Sequence, residues 1–491
     1  MSTTQGDKAN DKAAWELPKW KEMLEFANSE EAYDVKFYPY GKPTDDPVFV
    51  AVGGKQIIIC RLTHAGDGVE IIREATDESP GTDNCCVAWA QAENGDPLLC
   101  IAGSTALIKV IHAWTGKLLQ QVLTGHGGDI YDLTVPKTNP HVLASCSDDS
   151  TVRLWSLRKA HQESPCFALL DGEGHVDGVL SIDFHAYGHY ILSAGLDHAV
   201  NLWTVPTFPD ANTTIKKAEI IHYPHFFTTE VHSNVVDCVR FYKDYILSRG
   251  HEEGCIVLWQ ITRFSSLAEV PPASAAPTTY DQSARTRSAF FEVPKGDKTG
   301  PHQYQRLLQF EMPGCKQWYM RFGIHNPLSP SQSPVLTMCN SSSKIFYWDL
   351  SRFVAYEKFI ESPDTVPKPH WLSLQSHAKK TGQLDRLLSQ TPVDESVASS
   401  SVSSFSTETL ATAIDLETNR AAWDEKYAIG NPWRSVKAHK AENIPRVSSV
   451  GRAVAWSENG EFCVVVGSSG IISVLERWAK KSPNTKSEKI L

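Results

Sequence analysis

Gly125-His126, Ser145-Cys146-Ser147-Asp148-Asp149 and Val152-Arg153-Leu154-Trp155 are followed by Gly174-His175, Ser193-Ala194-Gly195-Leu196-Asp197 and Val200-Asn201-Leu202-Trp203. The two histidines stand 49 residues apart, and in each copy an Asp lies six residues and a Ser ten residues before the Trp. Self-similarity at a period of roughly 40–50 residues marks a repeat architecture in which each unit is one supersecondary element. Val152 to Trp155 alternates as a half-buried strand does. The Asp falls in the tight turn before that strand, where its carboxylate can accept from nearby backbone or a His. A closed set of His, Ser, Asp and Trp satisfies the polar groups that each unit buries. We therefore expect His126, Ser145, Asp149 and Trp155 in mutual contact, and likewise His175, Ser193, Asp197 and Trp203.

A Gly-His opening and a Trp-ended strand at this period are the signature of a WD-repeat propeller blade. Length alone suggests about three domains. Seven blades of about 40–45 residues plus loops would instead use the 491-residue chain as one unit. The expected fold is all-β: a seven-bladed WD-repeat β-propeller with low-complexity loop insertions. A Ser/His/Asp trio can also be read as a hydrolase triad. Here the trio repeats from blade to blade, and no G-x-S-x-G elbow accompanies it. No catalytic residue, and no enzyme, is expected.

The hydrophobic fraction of 41% and charged fraction of 21% are ordinary for a soluble globular protein. A net charge of −10 argues against a general nucleic-acid surface and suits a basic partner such as a Lys/Arg-rich tail. The eleven cysteines include no C-x-x-C pair and no metal-ligand spacing, which points to reduced thiols in the cytosol or nucleus. His222, His225 and His232 lack a Cys or carboxylate partner at zinc spacing, so blade and loop roles are expected and no metal. The N-terminus has no apolar h-region and no run approaches 18 apolar residues, so neither a signal peptide nor a membrane span is expected.

Along the chain, residues 1–14 have the composition of a disordered tail, and 15–491 of a single propeller. Trp15 to Phe26 is either a short helix or an outer strand; a terminal strand completing the last blade would close the ring and remove open edges. Blades one and two carry apolar strands such as Val48 to Val52 and Leu98 to Ala102 but lack the full polar set. Blade five has His232, Ser248 and Trp259, with Glu253 in place of the Asp. Blade six ends on Trp348-Asp349, and blade seven holds Val454-Ala455-Trp456. Two stretches, 265–301 and 362–416, have the Pro, Ala, Ser and Thr content of surface insertions, expected outside the ring. Ser396 and Ser399 to Ser401 suit either phosphorylation or an inert loop.

Trp318-Tyr319-Met320-Arg321-Phe322 opens blade six. Neighbouring aromatic residues on a strand point opposite ways, one into the core and one to the surface; at a bent backbone both can stand at one loop. Beside this string, several others resemble the embryonic ectoderm development/extra sex combs family, the WD-repeat subunit of Polycomb repressive complex 2. They are Pro97-Leu98-Leu99, Ala102-Gly103-Ser104, Val235-Val236-Asp237-Cys238-Val239-Arg240 and Ile246-Leu247-Ser248. The repeat strings around Gly174-His175, Asp197-His198 and Leu202-Trp203 match too. The resemblance covers residues 30–260 and 305–355, and more thinly 445–478.

The resemblance implies a non-catalytic, nuclear, chromatin-bound scaffold that reads trimethyl-lysine on the histone H3 tail through an aromatic cage. It implies two partner subunits, an Enhancer-of-zeste-type SET-domain methyltransferase and a zinc-finger protein of the Suppressor-of-zeste type, and stimulation of the former on peptide binding. Trp318 and Tyr319 match two cage positions, and Tyr33 matches a third. The fourth falls on Cys85, a departure that leaves a weaker cage or one completed by a nearby ring such as Tyr131. For the peptide contact of blade seven, Arg452 fits when counted back from Trp456 and Arg446 when counted forward from His439; Arg321 is a further candidate. The chemistry is coherent: a quaternary ammonium is weakly hydrated and donates no hydrogen bond, so each aromatic face is worth about 0.5–2 kcal/mol. No cofactor, membrane or sequence-specific nucleic acid is implied. The alternative is a generic scaffold, in which Trp318 and Tyr319 turn to the core and away from Tyr33.

Overall fold

The computed structural model describes residues 15–26, 30–42, 44–63, 68–278, 285–291, 303–327, 332–372, 419–445 and 447–477. The expected tail 1–14, most of the insertion 362–416 and Arg446 lie outside them.

Seven antiparallel-based sheets follow one another along the chain. Their innermost strands are Asp34–Phe37, Asn84–Gln91, Ile130–Thr134, Val179–Phe184, Val236–Tyr242, Gly323–His325 and Gly451–Trp456, in blades one to seven. This is the seven-bladed propeller expected from the repeat. Its core lies between blades rather than within one. Val50, Val52 and Ile59 of blade one pack on Val87, Trp89 and Ile101 of blade two. The Phe310 ring of blade five meets Trp348 of blade six at 5.5 Å.

Blade seven is completed from the other end of the chain. Lys19–Glu25 is a strand, not a helix, and it pairs antiparallel with Ile471–Glu476. Phe26 and Ala32 then join Phe49 and Ile58 of blade one and Val464 and Ile472 of blade seven in one buried cluster.

In blade three, His126 Nδ1 lies 2.9 Å from Asp149 Oδ2, its Nε2 lies 2.7 Å from Ser145 Oγ, and Trp155 Nε1–H donates to that same Oγ at 2.7 Å. Blade four repeats this with His175, Asp197, Ser193 and Trp203 at 3.0, 2.8 and 2.9 Å. Blade five repeats it with His232, Ser248 and Trp259, Glu253 taking the acid's place at 2.5 Å. Burial holds His126 below the usual imidazole range. Burial also pushes the Asp149 carboxyl up, but the bonds from His126, Gly127 and Thr151 outweigh it and hold the group ionised. A His bridging Ser and carboxylate is a structural tie, repeated rather than unique.

Two expectations need correction. Blades one, two, six and seven have four strands, and blades three, four and five each carry a fifth, outermost one, at Glu219–Ile221, Thr286–Ser288 and Ser435–Val436. The second of these lies inside the stretch 265–301 expected to stand apart from the ring. Thr286 Oγ1 lies 2.7 Å from Thr228 Oγ1, and Arg287 covers the Phe227 ring at 4.5 Å, so a free sheet edge recruited it. Nor is 15–491 one compact unit: Met1–Asp349 with Pro432–Leu491 forms one and Leu350–Asn431 another. In the latter, helix α1 (Leu350–Glu361) packs Tyr356 and Phe359 against Leu372, Trp423 and Tyr427. Leu372, inside the stretch 362–416 expected to be a surface insertion, is thus a core residue of this unit.

Candidate functional site

Five of the seven inner strands break register at one corresponding place, where a single residue is left without a cross-strand partner. The residues are Cys85, Tyr131, Leu180, Asp237 and Arg452. A bulge of this kind bends its strand and re-aims a side chain, and such bulges collect at the rims of closed β structures. Tyr33 stands at the same point of blade one, immediately before its inner strand, its N–H donating to Val52 O at 2.9 Å. Six blades thus place one residue each at the corresponding point of the inner strand, Leu180 and Asp237 fully buried there and Tyr33, Cys85, Tyr131 and Arg452 partly exposed.

The segment before blade six's inner strand lies over these points. Tyr319 takes a left-handed backbone conformation, φ +59°, which for a tyrosine costs about 1–3 kcal/mol and persists only where its surroundings enforce it. They do so from three blades. The Tyr319 hydroxyl lies 2.9 Å from the carbonyl oxygens of both Cys85 and Tyr131. Met320 N–H donates to Asp237. Arg249, fully buried and paired with Asp237, donates to the carbonyls of Cys315 and Gln317 at 2.7 and 2.8 Å.

Tyr319 ends up 5% exposed and Trp318 49% exposed. The Tyr33 ring meets Tyr319 edge-on at 5.9 Å, and Trp318 meets it edge-on at 6.3 Å. Tyr33, Trp318 and Tyr319 thus gather at one mouth, while Cys85 stands at its edge with its thiol on Ile130 O at 3.2 Å. Arg452 closes the near side: it pairs with Glu31 at 2.7 Å, donates to Trp318 O at 3.1 Å and lies 5.8 Å over the Tyr33 ring.

Arg321 is a correction. It is 3% exposed and lies beneath Tyr319, its guanidinium 4.6 Å from that ring and 2.7 Å from Asp132 Oδ1. Burial pushes the Asp132 carboxyl up, but Arg321, Arg240 and Lys36 together hold it down at about 2. Arg321 is the support of the site and is out of reach of a peptide. Asp132, Asp237 and Arg249 were not foreseen as part of that support; the Val235 to Arg240 string was the only signal pointing there.

The rim is acidic. The Asp83 carboxyl is raised by burial and then by Glu30, Glu31 and Asp129. The Tyr131 phenol is pushed up to about 12 by burial and then by Asp148 and Asp129. At the other ends of the inner strands lies a cavity of about 1020 Å³, lined by Phe37, Val135, Phe241 and Trp456 among others. Among the described residues no group of three His, Cys, Asp or Glu side chains is placed to hold a metal ion. His225 bonds Thr204 and Pro272 O, and His232 belongs to its blade network.

Residues 117–156 and 166–204 match the family "WD domain, G-beta repeat". Over 96% of this chain and 98% of the relative, the sequence is 35% identical to Polycomb protein EED of Chaetomium thermophilum. The chain belongs to the EED/esc family of Polycomb proteins. Polycomb protein esc of Drosophila melanogaster is 29% identical over 62% of this chain and 67% of its own length. Among solved structures, a subunit of the Chaetomium thermophilum polycomb repressive complex 2 superposes with a TM-score of 0.80 at 37% identity. The match covers 95% of this chain and 99% of that one. A subunit of ctPRC2 in a complex that contains H3K27me3 gives the same TM-score and identity over 96% and 100%. As a member of that family this chain is a non-catalytic WD-repeat propeller.

Proposed function

We propose that this EED/esc propeller is the trimethyl-lysine reader and scaffold subunit of a nuclear Polycomb-type histone H3 methyltransferase complex. The observation that carries the reading is the convergence of Tyr33, Trp318 and Tyr319, with Arg452 beside them, at one mouth of the channel. Rings held at right angles to one another can present several π faces to one small cation. A trimethylammonium exchanges loosely held water for those faces, while an unmodified ammonium gives up firmly held water and loses by the exchange. The acidic rim raises the rate of encounter with a basic tail. A SET-domain methyltransferase segment docks at the opposite mouth and rim, and a zinc-finger subunit completes the assembly. Peptide at one mouth then stimulates catalysis through the other, a coupling between two separate sites.

The test is calorimetric titration of histone H3 peptides carrying trimethylated or unmodified lysine into the full chain. Preference for the trimethylated peptide by tenfold or more is expected. Equal affinity for the two leaves a scaffold without a reader.

A further inference from the structure

We propose that Tyr131, one blade further round the ring than Cys85, supplies the face of the ammonium site that Cys85 leaves open. The proposal rests on the reader assignment above and refines it.

Position argues for it first. Tyr131 is the unpaired bulge residue of blade three, as Cys85 is of blade two and Arg452 of blade seven. Register places it at the corresponding point of its strand, and like Cys85 and Arg452, but unlike the fully buried Leu180 and Asp237, it keeps part of its side chain exposed. Distance argues for it next. Its ring centroid lies 6.5 Å from that of Tyr319 at an interplanar angle of 59°, close to the spacings of Tyr33 and Trp318. Tyr319 is therefore surrounded by three rings.

Cys85 is unsuited to the same task. Its side chain is short, and its thiol is tied to Ile130 O, the carbonyl one residue before Tyr131. The Tyr319 hydroxyl reaches the backbone of both Cys85 and Tyr131. The Tyr319 ring thus spans the gap between blades two and three and brings Tyr131 into line with it. Tyr131 is half-buried, so its ring is ordered but reachable. Its phenol stays protonated, held so by burial and by Asp148 and Asp129. A neutral ring backed by carboxylates favours a cation twice over, through its π face and through the field behind it.

The test uses the full chain and three H3-tail peptides, with trimethyl-lysine, unmodified lysine and the neutral tert-butyl isostere of trimethyl-lysine. Tyr131→Ala should weaken the trimethylated peptide about five- to tenfold and change the neutral isostere by less than twofold. Tyr131→Phe should stay within twofold of wild type. Cys85→Tyr should change affinity little, because the face is already covered, and in that background Tyr131→Ala should cost less than threefold. Tyr131→Leu, which keeps apolar bulk, guards against misfolding: equal melting temperature with the same selective loss supports the proposal. Wild-type affinity in Tyr131→Ala, with binding lost in Trp318→Ala, overturns it and leaves the reader assignment standing. Failure of the wild type to distinguish trimethylated from unmodified peptide removes both.

Discussion

Trp318 and Tyr319 are neighbours in sequence and opposites in surroundings. Tyr319 is held from below by Arg321 and by two backbone carbonyls, while Trp318 stands half in solvent with Arg452 on its carbonyl. On the proposed reading, removing the Trp318 ring therefore subtracts a binding face and little packing. Trp318→Ala should weaken trimethylated-peptide binding about tenfold, since about 1.4 kcal/mol corresponds to a factor of ten. Its melting temperature should stay within about 2 °C by calorimetry; a large drop would make Trp318 a core residue. The family resemblance brought out this pair, since pattern alone left open which way the two rings face, and Arg321 was misplaced as a peptide contact. On an irregular segment no periodicity says which way a side chain faces. The polar ties within the blades make a different prediction at this scale. Burial pushes the Glu253 carboxyl up, but His232 and Ser233 outweigh it and hold the group at about 2, against an ordinary 4.5. The folded pKa is depressed, so its stabilisation is present above about pH 4.5 and is lost as pH falls toward 2. In Glu253→Gln that part of the acid loss should vanish. Urea midpoints of wild type and variant measured from pH 7 to 3 should converge as pH falls; a constant gap would assign the effect to packing.

At the scale of elements, the site is a crossing of inner-strand bulges with one strapped segment, Cys315 to Phe322. Blades three and four were legible because each spells out the whole His, Ser, acid and Trp set. Blades one, two and seven had only apolar alternation, and the short outer strands had no signal, since three residues paired to a sheet edge look like loop. The bulges were invisible for a related reason: an extra residue in a strand changes no composition. The strap's hold on its supports is testable. Asp132 is fully buried between Arg321 and Arg240, with Ile182 N–H on its other oxygen. Truncating Arg321 leaves Arg240 as the remaining partner of Asp132 but strands one carboxylate oxygen and the buried carbonyls that Arg321 served, at about 1–3 kcal/mol. Arg321→Ala should thus lower stability by that order and also weaken the peptide, because Tyr319 loses its floor. Arg321→Lys should not rescue it, as one ammonium cannot reach Asp132, Tyr131 O and Leu180 O together. Denaturant unfolding of both variants, followed by peptide titration under conditions where they remain folded, reads the two effects separately. Full stability of Arg321→Ala would mean that the strap is held by Arg249 and the Tyr319 hydroxyl alone.

At the scale of the whole propeller, closure depends on one strand from the opposite end of the chain. Lys19–Glu25 covers the backbone of Ile471–Glu476, Glu442 accepts from Trp20 N–H at 2.9 Å, and Phe26 is 2% exposed among side chains of blades one and seven. Phe26 alone is worth about 1.5–3 kcal/mol of apolar burial, and an uncovered strand edge is a template for pairing with another chain. Glu31, Tyr33 and the blade-six strap lie beyond this strand, so the aromatic mouth is built without it. Deleting residues 1–26 should therefore lower the melting temperature by many degrees and produce concentration-dependent self-association in sedimentation velocity. The fraction that remains monomeric and folded should bind the trimethylated peptide within about twofold of the full chain. A melting temperature equal to that of the full chain would show that blade seven closes on Gly451–Glu476 alone. Loss of peptide binding in the folded monomer would show that ring closure, and not only the local strap, positions Tyr33 against Tyr319.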